Sequence, residues 1–338
     1  MVVMWWEAAV KLSVWSRAMT WCLVLAGVSA NAWAQKNPED ITIGYSAMQL
    51  SNPWYISVRA GMVDACRKLG IKCVIIDAQN RVDKQVSDLQ NMVHDRFDAI
   101  ACTPLDAEAL QDLYAHANSE GIITGSLAQI VPGSQLEYGM DEFHYGYTIG
   151  KQAAEWARTT LQCRGKAVLI TQDNVLATIP RADGAEAALK EICPTLNIVL
   201  RQEGASPEGG KKVVEEALAQ HPDLDLAVSV TDAGGVGAFQ AFSVHGVSSR
   251  RHAVFSGDAT PEVISLMNDQ GSIYRGTVDL MPYDAGYHTI EYLYDMVQNG
   301  APAEPRQLSI PFEPVSEADV LSGKFQVKFH SIPPFGVN

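Results

Sequence analysis

From Ile41 onward the chain repeats one pattern: a short apolar run rich in β-branched residues, then a longer stretch with helical spacing. The runs are "ITIGYS", "KCVIIDA", "FDAIAC", "GIITGS", "LEYGM", "KAVLIT", "LNIVLR", "LAVSV", "HAVFSG" and "YRGTVDL". Between the second and third, Val82, Val86, Leu89, Val93 and Phe97 step by three and four residues, which predicts one apolar helix face. After Pro282, "YDAGYHTIEYLYDMVQNG" reads as a helix closed by Gly300. Alternation of this kind means parallel sheets covered by helices. Ten strands are too many for one compact sheet in a chain of 338 residues. The expected class is therefore α/β, with two doubly wound parallel-sheet lobes. A (β/α) barrel is the competing architecture. Apolar content of 47% is enough to fill such cores.

The first 34 residues do not join the pattern. Lys11 and Arg17 precede the apolar "AMTWCLVLAGVSA", and "AWA" before Gln35 puts small residues where a signal peptidase reads. The apolar run is well short of the roughly 20 residues a membrane span needs. We therefore expect residues 1–34 to be a signal peptide cleaved after Ala34, with a membrane anchor as the alternative. The long stretch before Arg17 leaves the start codon open. The product is expected to be exported and soluble. Formal net charge is −14 with no basic block, which disfavours nucleic acid as a partner, because phosphate contacts need clustered Lys and Arg.

Export changes how the cysteines read. Cys66, Cys73, Cys102, Cys163 and Cys193 follow the leader, with no CxxC and no zinc spacing. Pairs Cys66–Cys73 and Cys163–Cys193 are expected, with Cys102 free and buried; other pairings stay open.

In open parallel sheets, ligands bind beyond the carboxyl ends of the strands. The segments there include "MQLSNPWY", "QNRVD", "TPLD", "LAQ", "QDNVLATIPR", "EGASPEGG", "TDAGG", "GDATPE" and "LMPYD". They carry turn and capping residues that are also hydrogen-bonding residues. Asn52 suits a helix N-cap and Pro53 the first helical position. Trp54 and Tyr55 then fall in the first helical turn, beside a strand end. Thr260, before Pro261 and Glu262, reads as a plain N-cap. No GxSxG or Walker loop occurs, and "GGVGAF" fails the dinucleotide spacing. Asp141, Glu142 and His144 in "DEFHYGY" read as hinge hydrogen-bonding groups, with a metal site as the sharper alternative. No pair of carboxylates has assignable acid and base roles. We expect no enzyme, no cofactor and no metal.

The order and spacing of "SNPWYISVRAGMVDACRKLG", "DAQNRVDKQVSDLQNMVHDRFDAIACTPLDAEAL", "GMDEFHYGYTIGKQAAEW", "RADGAEAAL", "TDAGGVGAFQAF", "FSGDATPEVISLM" and "VDLMPYDAGYHTIEYL" resemble the ribose-binding-protein family of periplasmic solute-binding proteins, from about Asp40 to about Phe329. Lactose-repressor-type regulators share these lobes but carry a DNA-binding helix-turn-helix where this chain has a leader. The resemblance implies the type I periplasmic binding protein fold, with a three-strand hinge and a ligand held between the lobes. It places the first lobe at 36–141 plus 283–310 and the second at 142–282 plus 311–338. It also implies a monomer in the periplasm that closes on a small molecule and presents it to a membrane ABC permease. The alternatives are a ligand sensor docking on a histidine kinase or chemoreceptor, or a carrier of an apolar, sterol-like ligand.

By the same resemblance, Trp54 and Tyr55 stack on a sugar face, Asn52 and Asp258 hydrogen-bond ligand, and Thr231 and Asp232 replace an Asn-Asp pair, so that Thr231 faces the cleft with a shorter side chain. Arg181 matches a position read as structural. The departures are Met48 for Ser, Ala128 and Gln129 for Asp-Arg, Ile179 for a ligand-binding Arg, and Leu280 for Gln. The expected ligand is therefore sugar-like or polyol-like but poorer in hydroxyl contacts than ribose or glucose, because buried polar groups must be paired.

Overall fold

The computed structural model describes residues 35–247 and 250–325. The expected leader and the chain after Phe325 lie outside the described residues. The first sheet is built from β1 (Thr42–Ala47), β2 (Lys72–Asp77), β3 (Ala99–Cys102), β4 (Ile123–Ala128) and β5 (Leu136–Gly139), with α1 (Pro53–Leu69), α2 (Val82–His94) and α3 (Glu108–Ser119) between them. The chain then crosses through Met140 and Asp141 into α4 (Glu142–Thr160). A second sheet follows: β6 (Lys166–Thr171), β7 (Asn197–Glu203), β8 (Leu226–Ser229), β9 (Ala253–Phe255) and β10 (Tyr274–Asp279). Its helices are α5 (Ile179–Ile192), α6 (Pro207–Gln220), α7 (Asp232–Val244) and α8 (Pro261–Asn268). Leu280 and Met281 cross back to α9 (Pro282–Asn299), which packs on α1. A last pair, β11 (Arg306–Ser309) and β12 (Glu313–Ser316), precedes the short α10 (Glu317–Leu321).

The two sheets have the same order: β2-β1-β3-β4-β5-β11 and β7-β6-β8-β9-β10-β12. All ten expected strands form, and the barrel is excluded. β11 and β12 add one strand to each sheet, and the crossings dictate their directions. β5 and β11 both leave the first sheet at their carboxyl ends, so they run parallel. β10 leaves the second sheet where β12 enters it, so that pair is antiparallel. The chain thus passes between the sheets three times, at 140–141, 280–281 and 310–312.

The central strands are apolar and buried on both faces, as helix-covered parallel strands must be. α1 buries Trp54, Val58, Gly61, Met62, Ala65 and Cys66, one face at steps of three and four. Gly61 sits against the Tyr283 carbonyl and Gly286 against that of Val58, so α1 and α9 meet backbone to backbone. Both expected disulfides are present, and Cys102 is free and buried. Gly300 has φ +90° and ends α9 as expected.

Two local readings need correction. On α2 the buried residues are Gln85, Leu89, Met92 and Val93. Val82 is 39% exposed, because the first turn of α2 reaches the mouth of the cleft described below. Phe97 lies past the helix end, in a turn where Arg96 has φ +59°. Thr260 does precede α8, but its side chain makes no cap hydrogen bond. Its N–H instead donates to the Asp232 carboxylate at 2.6 Å.

A cleft between the two sheets

Strand order reverses on either side of β1 in the first sheet and of β6 in the second. Those are the points where a crevice opens at the carboxyl ends of such strands. A cleft of about 560 Å³ lies there. The first lobe lines it with the β1–α1 segment (Met48, Gln49, Asn52, Trp54, Tyr55) and the ends of β2, β3 and β4. The second lobe contributes the β6–α5 segment (Gln172, Asn174, Val175, Thr178), Arg181, Thr231 and Asp258.

Asn52 caps α1: its Oδ1 accepts from the Trp54 N–H at 2.9 Å. The cap and Pro53 fix the entry angle of the helix and set the two aromatics at the cleft. Trp54 and Tyr55 meet edge to face, with centroids 4.8 Å apart. Trp54 is 8% exposed and belongs to the core as well as to the cleft wall. Its Nε1 is buried without a hydrogen-bond partner.

The opposite wall is organised by buried charge. The Asp232 carboxylate accepts from Ser256 Oγ, from Thr277 Oγ1 at 2.8 Å and from the Thr260 N–H. These bonds fasten the 256–260 loop, in which Asp258 has φ +126° and Ala259 φ +52°. The Asp232 N–H in turn donates to Asp258 Oδ2 at 3.2 Å, and the Tyr145 hydroxyl reaches Asp258 Oδ1 at 3.4 Å. Burial, then the adjacent Asp232 carboxylate, push the Asp258 carboxyl well above the ordinary range. Burial alone raises Asp232 against its hydrogen bonds. Arg181 donates through Nε to Glu142 Oε2 at 2.7 Å and lies over the Tyr145 ring, 4.7 Å from its centroid.

Eight of the nine residues expected at the site line this cleft: Met48, Asn52, Trp54, Tyr55, Gln129, Thr231, Asp258 and Leu280. Ile179 does not. The η turn Leu176–Thr178 ahead of α5 turns Thr178 to the cleft instead, with its Oγ1 donating to the Gln172 and Val175 carbonyls. Ala128, with φ +67°, and Arg181 also line it. Gln49, Asn80, Gln172, Asn174, Glu203 and Ser206 were not singled out from the sequence. Their signal was position alone: each follows or ends a strand. The cleft is thus richer in amides than the departures from the family pattern imply. Those amides sit toward the mouth, where Asn80 and Asn174 are exposed. The buried lining holds the apolar Met48, Trp54, Ala128, Leu280 and Ile310 together with the polar Thr178, Arg181 and Thr231.

The Asp141–Glu142–His144 group divides its labour. Asp141 caps α4 by accepting from the His144 N–H, and Glu142 pairs with Arg181. Among the described residues no group of three or more His, Cys, Asp or Glu could hold a metal ion. No described helix is long and apolar enough to cross a membrane.

Two doubly wound lobes, three crossings and a cleft at the paired switch points define a bilobal solute-binding protein. A family model described as "Periplasmic binding protein domain" matches residues 43–301. The ribose import binding protein of Escherichia coli (strain K12) is 25% identical over 273 residues, covering 79% of this chain and 86% of the relative. The putative rhizopine-binding protein of Rhizobium meliloti is 25% identical over 318 residues, covering 90% and 98%. Among solved structures, the Caulobacter myo-inositol binding protein bound to myo-inositol superposes with a TM-score of 0.74 at 23% identity, covering 84% and 97%. The chain belongs to the periplasmic binding protein family, in its ribose-binding-like, type I form. It is a binding protein and not an enzyme.

Proposed function

We propose that this protein is a periplasmic receptor that captures a sugar-like or polyol-like solute in the cleft and delivers it to an ABC permease. The observation that carries the reading is the division of the cleft. Its inner surface pairs two aromatic rings and buried apolar residues with the carboxylate of Asp258, while the buried Arg181, Thr178 and Thr231 are already engaged by Glu142, by the Gln172 and Val175 carbonyls and by the Gly234 N–H, and the exposed amides Asn80 and Asn174 stand at the mouth. An aromatic ring accepts the apolar face of a cyclic polyol, and a carboxylate takes its hydroxyl donors through charge-assisted hydrogen bonds. The inner wall offers few further partners, so a ligand with fewer hydroxyls than a common aldose leaves fewer buried polar groups unpaired. Relatives named for ribose and rhizopine, and a neighbour holding myo-inositol, support a ligand of this size and kind.

The test is a thermal-shift series on the purified protein with D-ribose, D-glucose, myo-inositol, a 6-deoxyhexose and a sterol. A ligand that binds only the folded state raises the melting temperature by mass action. The largest shift is expected from the deoxy sugar, which has fewer hydroxyls than glucose or myo-inositol. A larger shift with ribose or glucose means an ordinary aldose site. A shift with the sterol alone means an apolar carrier, and silence across the series defeats the reading.

A further inference from the structure

One buried side chain reaches from the crossings to the cleft wall. Tyr145 stands in the first turn of α4, fully buried, and its N–H donates to the Asp141 carbonyl on the first crossing at 2.9 Å. Its ring meets Phe312 of the third crossing edge to face, with centroids 5.4 Å apart. The Arg181 guanidinium of the cleft wall covers the ring, 4.7 Å from its centroid. The hydroxyl end enters the 256–260 loop. A Cβ at Gly257 would lie 2.2 Å from the hydroxyl oxygen, so the backbone of the loop rests directly on the phenol. The hydroxyl then faces two acceptors, Asp258 Oδ1 at 3.4 Å and the Val278 carbonyl at 3.5 Å. Val278 lies just ahead of the second crossing, and its carbonyl also accepts from the Asp258 N–H at 2.8 Å. Neither Tyr145 nor Phe312 lines the cleft itself.

Resting on the reading of the cleft as a solute site, we propose that Tyr145 is the positioning residue through which the hinge sets the binding wall: Phe312 on the third crossing acts on its ring, and its hydroxyl end carries the displacement to Gly257 and Asp258. The ring is one rigid body turning about two side-chain bonds, so a push at its edge reappears at its hydroxyl. Close-packed interiors pass such strain on, because they hold few voids to absorb it. Both hydroxyl contacts stand at the long end of hydrogen-bonding range, and one O–H serves one acceptor at a time. A small tilt therefore commits the proton to Asp258 or to Val278. Lobe closure is rotation at the crossings, and Phe312 rides on one of them. Closure thus selects which acceptor is served, and the orientation of the Asp258 carboxyl follows. The Asp232 N–H holds that carboxyl from its other side. Without the Tyr145 hydroxyl it keeps that restraint and loses the one that senses the hinge.

The experiment follows the Asp258 carboxyl by NMR of labelled aspartate through a pH titration of the ligand-free protein, in Tyr145→Phe, Phe312→Leu and the double variant. Asp232, Arg181 and Tyr55 also face Asp258, and all three stay in place. Tyr145→Phe keeps the ring and removes the donor, so the Asp258 midpoint should rise, because a bond to the charged form is lost. Phe312→Leu should move the midpoint when Tyr145 is present and leave it unmoved in Tyr145→Phe. The same pattern is expected in calorimetric titrations with D-ribose, myo-inositol and L-fucose. Phe312→Leu should weaken the tightest of the three by about three-fold or more, and add no further loss to Tyr145→Phe. Thermal melting confirms that each variant is folded, and Phe312→Met replaces a Phe312→Leu that is not. An unmoved midpoint in Tyr145→Phe, or a Phe312 effect that is absent or equal in both backgrounds, overturns the proposal. If none of the three sugars binds, the solute-site reading falls, while the titration still decides the coupling.

Discussion

The Glu142 carboxylate and the Arg181 guanidinium meet 2.7 Å apart with their side chains 10% and 6% exposed. Glu142 is the first residue of α4 after the first crossing, and Arg181 stands in the first turn of α5. The pair therefore ties the start of α4, just after the first crossing, to the cleft wall. A buried pair contributes little when compared with apolar residues, but breaking it leaves one charge uncompensated. Glu142→Ala should lower the unfolding free energy by about 3–5 kcal/mol, read from urea denaturation. A loss below about 1 kcal/mol would show that Arg181 finds water or another partner.

The same two helices approach backbone to backbone. A Cβ at Gly146 would enter the space of the Arg181 carbonyl, and one at Gly184 that of the Phe143 carbonyl. Gly146→Ala should destabilise the protein by about 1–3 kcal/mol through overpacking. It should also weaken ligand binding, because α5 can yield only by moving Arg181. An unchanged melting temperature in a calorimetric scan would contradict this packing.

The two disulfides should differ in worth. Cys163–Cys193 spans 30 positions and Cys66–Cys73 spans 7. The chain-entropy relation assigns about 3.7 kcal/mol to the longer loop and about 2.5 kcal/mol to the shorter. Replacing Cys163 and Cys193 by Ala should therefore lower the denaturation midpoint more than replacing Cys66 and Cys73. The reverse order would point to structure retained in the unfolded chain.

Asp232 and Asp258 are both raised above their unfolded values, by burial first. The native state then holds more protons than the unfolded state between the ordinary carboxylate range and the raised values. Stability from this pair is fullest at acidic pH and falls as pH climbs through the raised range. Without added ligand, unfolding free energy should drop by about 1 kcal/mol or more between pH 5 and pH 8, and Asp258→Asn should flatten the slope. A rise across that interval in urea titrations would refute the assignment.

Much of the architecture is legible one residue at a time. Strand runs from Ile43 to Val278, the Asn52–Pro53 start of α1, the Gly300 stop and the cysteine pairs all rest on local chemistry: side-chain branching, capping and short loops. Local periodicity also misleads at element ends. Val82 belongs to the apolar rhythm of α2 but serves the cleft, and Thr260 looks like a cap while its neighbour Asp232 holds the loop.

The amino-acid sequence by itself determined the alternation of strands and helices, hence the two sheets, and it marked the strand ends where a ligand site must lie. Only the tertiary structure decided which loop residues turn inward. Thr178 rather than Ile179 lines the cleft, and Arg181 is paired with Glu142 while Asp258 has no ion-pair partner among the described residues. The reason is physical. Helix and strand propensities act over a few residues, whereas the balance of buried charge depends on groups 39 to 113 positions apart, brought together by the crossings.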